Sequence, residues 1–385
     1  MQHKKILIMA GGTGGHVFPG LAVAELWRAQ GYQVTWFGTL HGLDAKLVPA
    51  AHLSFYQIKI TGLRGKGLLG YLQAPWKILR ATAQSIKLIR QLKPDVVLSM
   101  GGYVAGPGGI AAWLLRKPLI VHEQNAIPGT TNKLLSYFAK QILTAFPIAF
   151  KNHKKMRWVG NPIRASISEL PIPATRLAGR TGALKILVLG GSQGAQKINR
   201  IIPELLAQFS ESERPIVWHQ TGAKHHEKTL QHYNSVIAGV EARGGAEADT
   251  LNALADKVPQ RQDPEPNVVP FIDDMTAAYN WADLVICRSG ALTVSELAGA
   301  GVASILIPFP FAVDDHQTAN AKVLVDVKAA IMIQERNLHV EQLSNLIQDL
   351  ISHREKLITM ATQARTLAKP ECTQQVVEIC LKECL

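Results

Sequence analysis

The sequence predicts an α/β protein of two Rossmann-like, parallel-sheet domains in tandem, and three observations lead there. "KILIMAGGTGG" from Lys5 and "KILVLGGSQGA" from Lys185 echo one another, each an apolar run entering a glycine loop and then a helical pattern. "PDVVLSMGGYVAG" from Pro94 and "ADLVICRSGALTVSE" from Ala282 make a second echo of the same kind. The chain has 385 residues, 47% of them hydrophobic and 18% charged, enough to bury a large core and divide into two domains.

A continuous apolar run is what a strand covered on both faces by helices looks like. The first helix follows from Pro19 near its start, where a missing N–H costs nothing, from Leu21, Ala24 and Trp27 on one face, and from Gly31 as its stop. Val34 to Phe37 make the next strand. The Pro-, Ala- and Ser-rich stretch from Gly160, "GNPIRASISELPIPATRLAGRTGA", reads as a linker. Residues 1–163 are assigned to a first domain, 164–345 to a second and 346–385 to C-terminal helices, the last expected to pack back on the first domain. The tail from Leu343 to Leu385 reads as two helices, with Cys380 and Cys384 one turn apart on a face docked into an apolar seam. A polar, Pro-punctuated insertion over 240–266 reads as an exposed loop.

Charge is distributed unevenly. The net charge is +12, but residues 1–168 carry 21 Lys and Arg against four carboxylates, Glu25, Asp44, Asp95 and Glu123, so the remainder is net acidic. The first half therefore suits an anionic partner, a nucleic acid or an anionic membrane surface. Between Ala45 and Pro94 there is no carboxylate, while Arg64, Lys66, Lys77, Arg80, Lys87, Arg90 and Lys93 are interleaved with "LLGYLQAPWKIL", a pattern that fits a lipid headgroup region. No RNP, KH or helix-turn-helix pattern accompanies the charge, which argues against nucleic acid. Cysteines at 287, 372, 380 and 384 have neither disulfide nor zinc spacing, and no run is long enough for a signal core or a membrane span. The expectation is a cytoplasmic protein with free thiols and no metal.

The glycine loops narrow the chemistry. A dinucleotide fingerprint needs a third glycine where Val17 stands, and an acid about 20 residues on, where "VTWFGT" has none. Gly65-Lys66 is followed by Gly67, so there is no P-loop, and His122-Glu123 has no second histidine for a zincin. Glycine turns opening onto helix starts still present N–H groups and a positive dipole end to phosphate. Four such turns, Gly11–Gly15, Gly101–Gly106, Gly190–Gly194 and Ser289–Thr293, suggest a cleft for phosphorylated ligands.

"GGTGGHVFPGLAVA", "GLRGKG", "GGYVAGPGG", "HEQNAIPG", "GNPIR", "GGSQGA", "FIDDM" and "CRSGALTVSE" together resemble the MurG family of bacterial glycosyltransferases, in the family's order from residue 6 to about 335. The resemblance implies a GT-B fold, two Rossmann-like domains facing across a cleft, acceptor on the first and UDP-N-acetylglucosamine on the second. It implies inverting transfer of N-acetylglucosamine to the C4 hydroxyl of the muramyl sugar of lipid I, without a cofactor, by a peripheral protein on the cytoplasmic face of the inner membrane. Carried over, Thr13, Gly14 and Gly15 face the cleft, with Asn125 and Gln317 near the donor sugar. Arg164 and Ser192 become phosphate and nucleotide contacts, and Ile272 reads uracil through its backbone. Ala291, Leu292, Thr293, Val294, Ser295 and Glu296 form the helix start that receives the diphosphate, Glu296 also accepting from the ribose. His316 stands where some relatives carry a second glutamine.

Inverting transfer needs a base for the acceptor hydroxyl and neutralisation of the leaving UDP. No D-x-D pair is present, so helix N-termini and Arg164 are expected to neutralise in place of a metal. His16, at the lip of the first loop, is the expected base; its alternative role is to cap the helix or order the loop. His122 and Glu123 are weaker candidates. Thr293 and Glu296 have the spacing of a capping box as well as a donor role. A GT-B glycolipid synthase or UDP-N-acetylglucosamine 2-epimerase remains the competing reading.

Overall fold

The computed structural model describes residues 4–60, 62, 67–191, 195–236 and 266–384. The 240–266 insertion, save Pro266, and most of "GLRGKG" lie outside them. The chain divides into two compact units, one of residues 1–168, 290–296 and 369–385, the other of 169–289 and 297–368.

The first unit is built on seven strands: β1 (Lys5–Ala10), β2 (Gln33–Gly38), β3 (Ser54–Gln57), β4 (Val96–Gly101), β5 (Leu119–Glu123), β6 (Gln141–Thr144) and β7 (Met156–Trp158). They run parallel in the order β3-β2-β1-β4-β5-β6-β7. The helices between them are α1 (Gly14–Ala29), α2 (Asp44–Ala50), α3 (Gly67–Leu92), α4 (Ala105–Leu114) and α5 (Thr130–Ser136). The order reverses between β1 and β4, and at such a switch point the two loops diverge to leave a crevice at the strands' carboxyl ends. The turns at Gly11 and Gly101 therefore meet. A Cβ at Gly102, whose φ is +84°, would come within 2.4 Å of the Gly11 carbonyl oxygen, so only glycine fits there.

Helix α1 starts after Thr13, which is extended (φ −99°, ψ 158°), and Gly31 with φ +83° follows its end. Pro19 lies six residues in, not within the first turn as expected. Its missing N–H therefore removes the bond that would run to the Gly15 carbonyl.

The second unit repeats the plan with β8 (Lys185–Leu189), β9 (Ile216–Gln220), β10 (Asn267–Val269), β11 (Leu284–Cys287), β12 (Ala303–Leu306) and β13 (Ala330–Met332). Their parallel order is β10-β9-β8-β11-β12-β13, with the switch between β8 and β11. Among the described residues, the glycine starts at Gly190 and Ser289 thus follow the two strands at the second switch point, as those at Gly11 and Gly101 do at the first.

The expected linker is largely structured. It holds α6 (Ala165–Ser168) and α7 (Pro173–Arg176), and the buried Arg176 guanidinium donates to the carbonyls of Tyr279 (2.9 Å), Ala282 (3.1 Å) and Gly301. Burial lowers its pKa to about 10. Arg180 adds an ion pair with Asp283 at 2.7 Å, so 169–183 is fastened into the second unit.

The remaining helices are α8 (Gln196–Leu206), α9 (described over 226–236), α10 (Met275–Trp281), α11 (Ala291–Ala300), α12 (His316–Asp326), α13 (Val340–Ser352), α14 (Arg354–Thr366) and α15 (Cys372–Lys382). The tail holds three helices rather than two, because His353, with non-helical φ −127° and ψ 66°, separates α13 from α14. Leu343, Ile347 and Leu350 of α13 and Leu357 and Met360 of α14 join the second core. α15 instead sends Cys372, Val376, Val377 and Cys380 into the first core beside Val17, Val23 and Trp27 of α1. Burial pushes both thiols' pKa up, leaving them inert apolar filler.

Candidate active site

In the first unit the glycine loop is held from three sides. Asp44 at the start of α2 is buried and accepts from the Gly12 N–H at 3.0 Å, from the Thr39 hydroxyl at 2.9 Å and from the Thr39 N–H. The Thr39 hydroxyl in turn accepts from the Gly42 N–H at 3.0 Å. Sequence reading counted Asp44 only as charge. Its position one turn after β2 is the signal that it braces a neighbouring loop.

On the second side stands β5 and the loop that follows it. Glu123 is 1% exposed, and both its oxygens are engaged: Oε1 accepts from the Asn125 N–H (2.9 Å) and Nδ2 (3.3 Å), Oε2 from the Gly129 N–H (3.1 Å) and Asn132 Nδ2 (2.9 Å). A carboxylate with both oxygens engaged by four donors shapes the loop that carries Asn125.

Between these supports lies His16, in the first turn of α1. Its Nδ1 is 2.9 Å from Gln124 Oε1; Gln124 Nε2 is 3.0 Å from His122 Nδ1 and 3.2 Å from the His122 carbonyl; His122 Nε2 is 3.0 Å from the Gly160 carbonyl. His122 and Gln124 are buried while His16 is partly exposed. Burial lowers the His122 pKa to about 4, partly offset by its bond to Gly160 and reinforced by the neighbouring His16, so His122 is neutral near pH 7. Gly101 makes room for the His16 ring: a Cβ there would lie 3.0 Å from its Cε1 and 3.1 Å from its Nδ1.

The third side is Arg164. Its guanidinium stands 6.0 Å over the ring of Phe18 on α1, so an exposed cation borders the helix whose N-terminus carries Thr13, Gly14 and Gly15. Thr13 is exposed and makes no side-chain capping bond. The structure thus gathers Thr13, Gly14, Gly15, His16, Asn125 and Arg164 at one switch point.

In the second unit, Ser289 precedes α11, and its carbonyl accepts from Asn320 Nδ2 of α12 at 3.2 Å. Gln317 at the start of α12 accepts the Phe309 N–H at 3.0 Å, fixing the loop after β12. Ile272 is buried between β10 and α10. Ala291 through Glu296, which group with the first unit, form the first turns of α11, with the Ser295 hydroxyl donating to the Ala291 carbonyl at 2.9 Å. Because the helix starts at Ala291, Thr293 lies inside its first turn, and the capping box expected from the spacing does not form. His316 donates Nδ1–H to the Val313 carbonyl at 2.7 Å, after Asp314 and Asp315, both in the left-handed region (φ 53° and 52°). Arg288, to which sequence reading gave no role, donates to the carbonyls of Ile307 and Pro308 at 3.2 Å, pairs with Glu335 and lies 5.5 Å over the Phe309 ring. Ser192 lies outside the described residues.

Switch-point loops of this kind, one with an oriented histidine and another opening a helix without acidic residues in its first turn, suit an enzyme that handles a nucleotide-linked group. Two family models agree: the glycosyltransferase family 28 N-terminal domain matches residues 6–144 and its C-terminal domain 185–376. The chain belongs to glycosyltransferase family 28 and is of the GT-B fold class. It is 48% identical over 378 residues, 98% of both chains, to the UDP-N-acetylglucosamine--N-acetylmuramyl-(pentapeptide) pyrophosphoryl-undecaprenol N-acetylglucosamine transferase of Nitrosococcus oceani. It is 46% identical to the enzyme of the same name from Marinobacter nauticus, over 98% of this chain and 97% of that one. The crystal structure of Acinetobacter baumannii MurG matches with a TM-score of 0.79 and 41% identity over 98% of this chain and 99% of that one. A putative UDP-N-acetylglucosamine 2-epimerase from Listeria monocytogenes, 13% identical with a TM-score of 0.62 over 97% of this chain and 95% of that one, shares the fold alone.

Proposed function

We propose that this family 28 enzyme transfers N-acetylglucosamine from UDP-N-acetylglucosamine to the C4 hydroxyl of the muramyl sugar of undecaprenyl-pyrophosphoryl-(pentapeptide) acceptor, with inversion, forming the lipid II disaccharide of peptidoglycan. The agreement of relatives 46–48% identical over nearly the whole chain, each named for this reaction, carries the reading. In it, His16 takes the proton of the acceptor hydroxyl. The α11 start from Ala291 to Glu296 and Arg164 offset the charge of the leaving UDP, the first through the N–H groups of its opening turn and the helix dipole. Ile272, Gln317, Asn125 and Ser192 hold uracil, sugar and nucleotide. Labelled UDP-N-acetylglucosamine incubated with lipid I is expected to yield labelled lipid II. Label passing only to diacylglycerol, or epimerised UDP-sugar as the product, would replace the reading by its competitors.

The same reading places the enzyme peripherally on the cytoplasmic face of an anionic membrane. No described helix is long and apolar enough to cross a bilayer. On α3, Leu72, Trp76 and Leu79, spaced to share one helix face, are 72%, 63% and 60% exposed, and the exposed Arg80, Lys87 and Arg90 lie on the same helix. Exposed indole and leucine side chains among cations suit a headgroup layer, where each cation contributes on the order of 1 kcal/mol. Co-sedimentation with phosphatidylglycerol vesicles that weakens with salt is the expected result; salt-independent or absent binding would remove this part of the proposal.

A further inference from the structure

The hydrogen bonds from Gly160 to His16 have a direction, and it follows from which atoms can donate. The Gly160 carbonyl only accepts, so His122 Nε2, 3.0 Å away, carries a hydrogen. His122 is buried and neutral, so its Nδ1 is a lone pair and must receive a donor. That donor is the Gln124 amide nitrogen, whose second hydrogen faces the His122 carbonyl at 3.2 Å. Two acceptors on the nitrogen side fix the amide's orientation without reference to His16. Gln124 Oε1 is then the atom at 2.9 Å from His16 Nδ1, and an amide oxygen only accepts.

We propose that Gln124 and His122 are positioning residues that lock His16 as its Nδ1–H tautomer, leaving Nε2 as the lone pair that takes a proton. This rests on the reading of His16 as the base and deepens it: a neutral imidazole exchanges its proton between two nitrogens in water, and the chain removes that freedom. It also holds the ring when His16 is protonated, because the Nδ1–H bond to Gln124 persists. The step balances simply: the acceptor O–H bond breaks, its proton joins Nε2, and the hydroxyl's electron pair forms the glycosidic bond as the sugar–phosphate bond breaks toward UDP.

The test is histidine 15N NMR on the full chain, with the His16 signals assigned by their loss in His16→Gln. The expected spectrum of the neutral His16 ring shows Nδ1 protonated and Nε2 bare; the reverse pattern overturns the proposal. Gln124→Met removes acceptor and donor together. It is expected to return His16 to a mixture of tautomers and to lower kcat roughly tenfold to a hundredfold with little change in KM for the UDP-sugar. Gln124→Glu restores an acceptor for Nδ1–H and is expected to recover much of that kcat, which a merely structural role would not do. A Gln124→Met enzyme with wild-type kcat overturns the proposal. Should Gln124→Met not fold, the wild-type spectrum and Gln124→Glu still decide. Normal turnover in His16→Ala would instead sink the base assignment and leave the tautomer measurement standing, so the two failures are distinguishable.

Discussion

Each sheet buries a neutral histidine, His122 in the first unit and His219 in the second, and the two are wired to opposite ends. His122 passes its bonding direction through Gln124 to the partly exposed His16. His219 is closed off: its Nδ1 lies 2.9 Å from the Tyr233 hydroxyl and its Nε2 3.1 Å from Asn199 Oδ1, while Asn199 Nδ2 donates to the Thr221 carbonyl at 2.9 Å. All three partners of that second cluster are buried, and burial lowers the His219 pKa to about 3 and raises that of Tyr233. The difference teaches that a buried histidine network is a structural device in itself, and is open to a role in chemistry only where its last member reaches solvent.

The largest effect expected on this contrast is from His16→Ala, which removes the exposed end. Turnover should fall about 10²- to 10⁴-fold, with UDP binding by calorimetry unchanged. Next come His122→Ala and His219→Ala, each leaving buried partners unsatisfied and costing on the order of 3 kcal/mol in urea unfolding. They should part in kinetics: activity per folded molecule survives in His219→Ala and falls at least tenfold in His122→Ala. Equal losses in both would erase the distinction between the networks.

A pH titration of stability is the third. Both histidines have folded pKa values below the ordinary 6.5, about 4 for His122 and about 3 for His219, so between those values and 6.5 the unfolded chain binds protons that the folded chain refuses. Their contribution is complete above pH 6.5 and is lost as pH falls, toward about 4 for His122 and about 3 for His219, at on the order of 1 kcal/mol per pH unit for each. Urea midpoints from pH 7 to 5 should drop accordingly, and His219→Phe should flatten the slope. The smallest effect is Tyr233→Phe, about 1 kcal/mol of stability, with kcat unaltered.

Much of the fold was legible because its signals are local. The runs at Ile6 and Ile186 are buried strands, and the glycines after them are the turns that a parallel sheet requires. The candidate site was legible as far as His16, Arg164 and the α11 start, each marked by a glycine turn or by the family resemblance. What was not legible joins residues far apart in sequence. Asp44 and Gly12 are separated by 32 positions, and Gln124 and His16 by 108. No periodicity reports such pairings. Register failed for a subtler reason: the Thr293 and Glu296 spacing is right for a cap, but the helix had already begun at Ala291. The stretch read as a linker does contain the division between the units, at 168/169, but its composition of Pro, Ala and Ser gave no sign of Arg176, whose guanidinium finds three carbonyls about a hundred residues away.

The route of α15 has a consequence for how the molecule is made. Cys372, Val376, Val377 and Cys380 fill the core of the unit that residues 1–168 begin. That amino-terminal half leaves the ribosome with an uncovered apolar face, and must wait for the whole second half to be translated before its own lid arrives. The core that is begun first is thus the one completed last, and until then its apolar face is a surface on which a nascent chain can misassemble.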